Sequence, residues 1–283
     1  MNSAIKQLAK SVIKQISKAM VQTSFGRKIL EQTICVAINE TRDIRHHGVD
    51  LEFCVPNRIN YFRAETFSTK EPETLEWIDS IPQGSVLWDI GANVGLYSCY
   101  AAKARGCQVF SFEPSVFNLE QLARNIFLNK VTTQVVIIPL PLSENLSFNT
   151  LNMSSTDWGA AASTFGQNYG YDGQPLDKIF ELHTIGLSMM DGVKLLKIPE
   201  PDYIKMDVDG IEHLILKGGS TVLQNLKGIL IEIDEDFRKQ SVESTRYLHE
   251  AGLVLKEKRQ SDMLKGSAYM TVYNQIWHRP AAK

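Results

Sequence analysis

The hydrophobic positions at the start of the chain have helical spacing. One apolar stripe consists of Ile5, Leu8, Val12, Ile16 and Met20. Positions three and four residues apart share one face of a helix, so the stripe predicts a helix over residues 1 to about 40. Lysine recurs every fourth residue on another face, from Lys6 to Lys18, and no acidic residue precedes Glu31.

An apolar stripe of this size is normally covered by another surface. Its own domain, a second copy of the chain or an anionic membrane could cover it, the last because basic amphipathic helices bind anionic lipid. We expect a packed helix. A homodimer contact is the first hypothesis, and peripheral membrane contact is the alternative.

Residues 49–67 alternate apolar and polar positions and contain many β-branched and aromatic residues. The alternation predicts two strands, VDLEFCV and RINYFRAETF, joined by a Pro-Asn turn. The next segment, KEPETLEWIDSI, predicts a helix that begins at Pro72, because proline is favoured in the first helical turn.

From residue 85 onward, short apolar strands alternate with helical patterns. The predicted strands are SVLWDI, QVFSFE, TQVVIIPL, YIKMDV, GILIEID, LVLKEK and AYMTVYNQIWHR. The predicted helices cover residues 94–104, 115–129, 212–225 and 241–251. This order predicts an α/β fold with a mostly parallel, doubly wound sheet covered on both faces. The sheet should end in an antiparallel hairpin, because no helix separates the last two strands.

The pattern divides the chain into an N-terminal helical extension, residues 1–48, and one α/β domain, residues 49–283. One stretch, from about Ser154 to Pro175, is rich in Gly, Ser, Asn and aromatic residues. It is too long for a plain connector, and we interpret it as a substrate loop.

Composition and charge narrow the range of possible functions and partners. Hydrophobic residues make up 43% of the chain and charged residues 22%, as in ordinary globular proteins. The formal net charge of -2 provides no basic excess for phosphate contacts, so we expect no nucleic-acid partner. The cysteines form no CxxC pair, and neither a membrane-spanning run nor a secretory signal pattern is present. We therefore expect a cytoplasmic protein, peripheral to the inner face of the membrane if the N-terminal helix binds lipid.

The first candidate site is VLWDIGANVG, residues 86–95, where a strand ends in an acid and the chain turns through glycine. Ligands of open α/β sheets bind at the carboxyl ends of strands. Asn93 occupies the third position of the dinucleotide pattern G-x-G-x-x-G, so the stretch does not match it. Asp89 suits a cationic ligand, and Gly91 and Gly95 allow close approach. These features favour S-adenosylmethionine, which carries an ammonium and a sulfonium group and no phosphate.

The ends of the next two strands add candidate cofactor contacts. Glu113 lies 24 residues beyond Asp89, where a ribose-binding acid belongs in a βαβ nucleotide site. Ser143 and Glu144 follow the third strand and could hydrogen-bond the adenine edge. A polar turn without function is the alternative for this pair.

The segment YIKMDVDGIEHLILKGG places Lys205, Asp207, Asp209 and Glu212 at the fourth strand end. Crowded carboxylates raise a pKa or bind a cation. The cluster therefore predicts a proton acceptor or a divalent-metal site, with Asp207 and Asp209 as the metal ligands. Alternatively, Asp209 caps the helix and Glu212 completes a capping box. His213 is a further candidate base, with helix packing as its alternative.

Several segments together resemble the FkbM family of S-adenosylmethionine-dependent methyltransferases, in the same order and over about residues 60–279. They are VLWDIGANVGLYSCYAA, FSFEPS, LARNIFLN, YIKMDVDGIEHLILKGG and YNQIWHR. The resemblance implies a class I, Rossmann-like methyltransferase fold with residues 49–283 as the catalytic domain. It also implies O-methylation, commonly of sugars or natural-product hydroxyls. Asp209 stands where many relatives have Glu in a D-V-E-G pattern.

We therefore expect an O-methyltransferase that acts on a hydroxyl of a sugar nucleotide or a surface glycan precursor. Asp207 is the first candidate for proton acceptor or metal ligand, followed by Asp209, Glu212 and His213, with Lys205 in the same catalytic group. Two alternatives stay open. One is O-methylation of a natural product or another non-sugar acceptor, and the other is a binding protein that keeps the fold without turnover.

Overall fold

The computed structural model describes residues 3–260, 263 and 270–280. Within them the helices are α1 Ser3–Met20, α2 Ser24–Ile38, α3 Arg58–Glu65, α4 Phe67–Lys70, α5 Pro72–Ser80, α6 Leu96–Arg105, α7 Val116–Leu128, α8 Met189–Leu195, α9 Glu212–Gly218, α10 Ser220–Leu223 and α11 Arg238–Glu250. The strands are β1 Thr41–His46, β2 Val49–Cys54, β3 Val86–Ile90, β4 Gln108–Phe112, β5 Val135–Ile138, β6 Ser147–Met153, β7 Ser163–Phe165, β8 Phe180–Gly186, β9 Tyr203–Met206, β10 Gly228–Asp234, β11 Val254–Arg259 and β12 Val272–His278.

The central sheet has the strand order β11-β12-β10-β9-β3-β4-β5. Five neighbouring strands of this sheet are parallel: β10, β9, β3, β4 and β5. Strand β12 runs antiparallel to both β10 and β11. This topology confirms the predicted doubly wound, mostly parallel sheet with a final antiparallel hairpin. Residues 268 and 269, the start of the last predicted strand, lie outside the described residues.

Both faces of the sheet are covered by helices. Trp88 and Ile90 of β3 belong to the apolar cluster under α8, α9, α10 and α11. Leu87 alternates to the other face and packs with residues of α5, α6 and α7. Because side chains of a strand alternate between faces, Asp89 lies on the same face as Leu87. The near-continuous apolar strands that the sequence shows are explained by this two-sided burial.

Two predicted helices are each divided into two. The first is interrupted between α1 and α2, where Thr23 Oγ1 accepts a hydrogen bond from the Gly26 amide and caps α2. A Cβ at Gly26 would overlap the Met20 carbonyl oxygen, so glycine permits this close turn. The helix predicted over 212–225 ends at Gly218 and continues as α10 after Gly219.

The apolar stripe of α1 does not pack on its own domain. Leu8 is 67% exposed, and Ile5, Val12 and Ile16 are also exposed. The hypothesis that the domain itself covers the stripe is therefore wrong. None of the described helices is both long enough and apolar enough to cross a membrane.

The prediction of a second strand within residues 49–67 is wrong, because residues 58–65 form helix α3. Asn57 Oδ1 accepts a hydrogen bond from the Asn60 amide and begins the helix. Asn60, Ala64 and Phe67 are the buried positions, and this spacing is helical rather than alternating. The strand VDLEFCV is confirmed as β2, but its partner is β1, which precedes it in the chain. A hairpin turn at residues 47 and 48 joins the two strands.

Residues 147–186 contain a separate, three-stranded antiparallel sheet with the order β7-β6-β8. The stretch interpreted as a substrate loop includes β7, whose residues pair with the end of β6. The preceding residues, 154–162, cross the carboxyl edge of the central sheet and reach the site described next.

Candidate active site

A cavity of about 370 Å³ opens at the carboxyl ends of β3, β4, β9 and β10. Its volume is typical of small-molecule sites. Strand order reverses between β3 and β9, which is where open α/β sheets bind ligands. Residues that follow β3 and β4 line one half of the cavity. Residues of α3, α4, β9, β10 and β12 line the other half.

The turn after β3 has the tight conformation that its glycines predict. Gly91 has φ +82°, and a Cβ on it would overlap the Asp207 carbonyl oxygen at the end of β9. Gly95 has φ +81°, and a Cβ there would overlap Leu122 of α7. Both positions therefore require glycine for backbone conformation and packing, and Gly91 also lines the cavity.

Asp89 lies beneath the cavity rather than on its surface. Its side chain is buried, and Oδ2 accepts a 2.5 Å hydrogen bond from Ser98 Oγ. Lys205 Nζ is 4.0 Å from the other carboxylate oxygen. Burial raises the pKa of Asp89, although Lys205 opposes the shift. Asp89 is not among the residues that line the cavity, so the structure places it below the predicted ligand.

Glu113 reaches the cavity wall and organises the turn beside it. Its carboxylate accepts hydrogen bonds from the backbone amides of Asn93 and Ser115, each at 2.8 Å. Burial raises the pKa of Glu113 to about 7, against the effect of these amides. Asn93 and Glu113 are thus brought together at the carboxyl ends of β3 and β4, as the sequence predicted.

Ser143 and Glu144 lie beyond the cavity. The Ser143 amide donates to the Leu187 carbonyl, and Glu144 accepts a hydrogen bond from Lys217 at 2.7 Å. The residues of this strand end that do line the cavity are Leu140, Pro141 and Leu142, all apolar. The pair therefore fits the polar-turn alternative better than a contact with adenine.

Lys205 and Asp207 meet at the end of β9, on the cavity side. Lys205 Nζ donates a 3.1 Å hydrogen bond to Asp207 Oδ2. Burial alone would lower the pKa of the Lys205 ammonium, but Asp207, Asp89 and Glu71 outweigh it and raise that pKa. Lys205 is therefore a charged group buried among carboxylates, and Asp207 is its cavity-facing partner.

Asp209 also lines the cavity, but its carboxylate accepts hydrogen bonds from the amides of Ala162 and Ser163, at 2.8 and 3.2 Å. Burial and the neighbouring Asp207 raise the pKa of Asp209 to about 6. Asp209 does not cap α9, whose N-cap is Ile211, so the predicted helix-cap role is wrong. Asp209 instead anchors Ala162 and Ser163, at the end of the segment that crosses the carboxyl edge of the central sheet.

Glu212 and His213 lie outside the cavity lining. Glu212 accepts hydrogen bonds from the Val208 and Gly210 amides, both at 3.1 Å, and so closes the turn after β9. Burial raises the pKa of Glu212 to about 7 and lowers the pKa of His213 to about 4. His213 is fully buried against Phe237. Its position fits the helix-packing alternative rather than a base in the site.

Polar residues that the sequence patterns did not single out complete the second half of the cavity. Glu71 accepts hydrogen bonds from Lys70 Nζ at 2.5 Å and from the Tyr97 hydroxyl at 2.9 Å. Glu232 and Asn274, paired across β10 and β12, also face the cavity. The sequence contained one signal that could have identified Glu232, a carboxylate inside the largely apolar strand GILIEID.

The segment from Trp158 to Ser163 crosses the cavity and is held by surrounding side chains. Asn93 and Asn118 both donate to the Ala160 carbonyl, at 2.9 and 3.1 Å. Arg63 Nε donates to the Gly159 carbonyl at 2.8 Å. These contacts, with those of Asp209, connect the predicted substrate loop to the residues of the site.

A preformed metal site at the β9 end is not found among the described residues. Within them, the three side chains whose ligand atoms lie within 4.8 Å of one another are His46, His47 and Asp79, near the β1–β2 turn. Asp207 is paired with Lys205, and Asp209 is occupied by backbone amides. A divalent metal held by Asp207 and Asp209 stays a prediction.

The arrangement can hold a nucleoside-like group against Glu113 and present a second molecule to the carboxylates at the ends of β9 and β10.

The methyltransferase FkbM domain profile matches residues 89–255, more than half of the chain. Over 195 residues, the chain is 27% identical to the hexuronic acid methyltransferase AglP of Haloferax volcanii, an alignment that covers 67% of this chain and 73% of that protein.

Two solved structures also align with the chain. The FkbM methyltransferase of Methylobacillus flagellatus aligns at 14% identity and a TM-score of 0.46. That alignment covers 70% of this chain and 44% of the solved chain, so this protein spans less than half of it. Fibrillarin of Aeropyrum pernix, solved with bound S-adenosylmethionine, aligns at 11% identity and a TM-score of 0.46, over 85% of this chain and 83% of that one. The family profile, which includes the turn after β3 and the whole β9–β10 region, shows that this chain belongs to the FkbM family of S-adenosylmethionine-dependent methyltransferases.

Proposed function

We propose that this protein transfers a methyl group from S-adenosylmethionine to a hydroxyl of a sugar, in a sugar nucleotide or a surface glycan precursor. The observation that carries the proposal is one cavity with two halves: a turn organised by Glu113 and a polar wall at the ends of β9 and β10. The relative AglP is a hexuronic acid methyltransferase, which supports a sugar acceptor.

In this proposal Glu113 binds the ribose hydroxyls of the cofactor, because a carboxylate at the end of the second strand can accept both hydrogen bonds. Gly91, Asn93 and Gly95 shape the turn against which the rest of the cofactor lies. Leu140 and Leu142 offer an apolar surface for the adenine ring. Asp89 acts from below, by holding Lys205 and Ser98 in place.

The acceptor occupies the other half, where Asp207 is 32% exposed and accepts one hydrogen bond from Lys205. Methyl transfer is an in-line displacement, so the acceptor oxygen must lie about 3 Å from the methyl carbon and opposite the sulfur. A sugar hydroxyl is weakly acidic and requires a proton acceptor. We propose that Asp207 binds and orients this hydroxyl.

Mass spectrometry of candidate acceptors, incubated with the protein and S-adenosylmethionine, tests the function. We expect a gain of one methyl group on a sugar nucleotide or a lipid-linked glycan. Methylation of natural-product hydroxyls with no reaction on any sugar would favour the non-sugar alternative. Cofactor binding without transfer to any acceptor would favour a binding protein. Full activity after exhaustive chelation would exclude a required metal.

We also propose that the exposed stripe of α1 forms a homodimer contact. Leu8 and Ile16 of the stripe are 67% and 55% exposed, and Phe25 of α2 is 75% exposed. An exposed apolar stripe of this kind marks an interaction surface. The cysteines of the described residues are free, which fits our expectation of a reducing cytoplasm.

Deleting residues 1–22 should remove this contact, because it takes away α1 and leaves the Thr23 cap of α2 in place. We expect light scattering to show a fall from dimer to monomer, with methyl transfer retained. A milder variant, Leu8→Gln with Ile16→Gln, should give the same change without shortening the chain. If the truncated protein keeps its mass but no longer sediments with anionic vesicles, membrane attachment replaces the dimer.

A further inference from the structure

Glu232 lies on the acceptor side of the cavity, next to Asp207. In the register of β9 and β10, Lys205 pairs with Leu230 and Met206 with Ile231. Strand β9 ends there, while β10 continues, so Glu232 follows in the position beside Asp207. Alternation places Glu232 on the same sheet face as Lys205 and Asp207. Glu232 is among the residues that line the cavity.

The other carboxylates at this wall already have partners. Asp207 accepts from Lys205, Glu71 from Lys70 and Tyr97, and Asp209 from backbone amides. In the part of the chain that the structure describes, the side-chain carboxylate of Glu232 accepts no hydrogen bond and forms no ion pair. Even its neighbour Asn274 directs its amide to Glu73, at 2.8 Å. A half-buried carboxylate that faces a cavity without a protein partner is available to a ligand.

The surroundings of Glu232 favour its protonated form. Burial raises its pKa well above the ordinary value, and Asp207 and Glu71 raise it further. Lys70 opposes them, and Asp209 adds a smaller effect in the raising direction. A carboxylate of raised pKa is a stronger base when ionised, which is the property that general-base catalysis requires near neutral pH.

We infer that Glu232 is the catalytic residue that receives the proton of the acceptor hydroxyl. The hydroxyl O–H bond breaks and its proton moves to a carboxylate oxygen of Glu232. The hydroxyl oxygen forms the new bond to the methyl carbon, and the electron pair of the broken C–S bond stays on sulfur. The products are a methyl ether, S-adenosylhomocysteine and protonated Glu232. Asp207, held by Lys205, orients the hydroxyl. This inference rests on the proposed methyl transfer to a sugar.

The test compares Glu232→Gln with the matched control Glu235→Gln. Glu235 lies just beyond β10 and pairs with Lys258 outside the cavity. We expect Glu232→Gln to lower kcat by about 100-fold or more, the contribution of a general base. S-adenosylhomocysteine affinity should stay unchanged. Glu235→Gln should keep the parental rate. Glu232→Asp, which retains a base, should recover part of the rate.

The pH profile and a direct titration separate the proton acceptor from a structural residue. The rate of the parent protein should fall as pH drops through a pKa above that of an ordinary carboxyl, and this limb should vanish in Glu232→Gln. Carbon-13 NMR of the labelled glutamate carboxyls should show the same raised pKa without any acceptor present. A parental rate in Glu232→Gln, or an ordinary NMR pKa for Glu232, would overturn the inference while the proposed function stands. If the parent protein methylates no sugar, the proposed function fails first, and the inference fails with it.

Discussion

Asp207→Asn should reduce turnover by about 100-fold or more, the loss expected when a charged group that assists proton transfer is removed. Asparagine keeps the shape of the side chain and can still accept the Lys205 hydrogen bond, which is 3.1 Å long in the parent. It removes the negative charge that orients the acceptor hydroxyl. It also removes a charge that keeps the proton affinity of Glu232 high, so the acid limb of the pH profile should move to lower pH.

Steady-state kinetics with a methylated-product readout checks this result, together with calorimetry of S-adenosylhomocysteine. Asp202→Asn is the matched control, because Asp202 pairs with Lys227 at 2.7 Å at the other end of β9. The control should lose some stability, because Asp202 also accepts a hydrogen bond from the Val86 amide, but it should retain kcat in the folded protein. A near-parental rate for Asp207→Asn would remove Asp207 from the reaction.

Glu113→Ala should weaken S-adenosylhomocysteine binding by roughly 1.5–3 kcal/mol, the range for hydrogen bonds to a charged group. That corresponds to roughly a 10- to 150-fold rise in Kd. The substitution removes the proposed ribose acceptor and also frees the amides of Asn93 and Ser115. Glu113→Gln, which keeps one acceptor oxygen near these amides, should fall between the parent and the alanine variant.

Calorimetry over a pH series gives a second test of Glu113. Burial raises its pKa to about 7 in the free protein, and ribose hydroxyls bind the ionised form better. Binding should therefore strengthen as pH rises through 7, and this dependence should disappear in Glu113→Ala. The control is Glu120→Ala on the next helix, where Glu120 pairs with Arg124 in solvent. Unchanged affinity in a folded Glu113→Ala protein would contradict the ribose role.

The sequence by itself determined the framework of the catalytic domain. Apolar strands separated by helical patterns are sufficient for a parallel sheet, because both faces of each strand must be covered. The sequence also predicted the tight turn through Gly91 and Gly95. Both residues have a positive φ and close neighbours, so a side chain is excluded at each. Glu113 was predicted from its spacing alone, because the length of one βα unit sets where the second strand ends.

Only the tertiary structure decided which polar residues reach the cavity. Asp89, two residues before Gly91, is buried beneath it, while Glu232 from a distant strand lines it. His213 follows the acidic cluster in sequence, yet helix α9 turns it away into the core. Neighbours in sequence point to different sides of a strand or helix, so spacing along the chain does not reveal which of them share a surface.

Tertiary contacts also decided the local structure of RINYFRAETF. Its composition favours a strand, but the Asn57 cap and the burial of Asn60 and Ala64 make it a helix. Asn60 donates to the Trp158 carbonyl, in a segment about one hundred residues away that crosses the cavity. Such a contact is absent from any local pattern. It forms only when the sheet has brought the two segments together, and that long-range packing outweighs the strand preference of the residues.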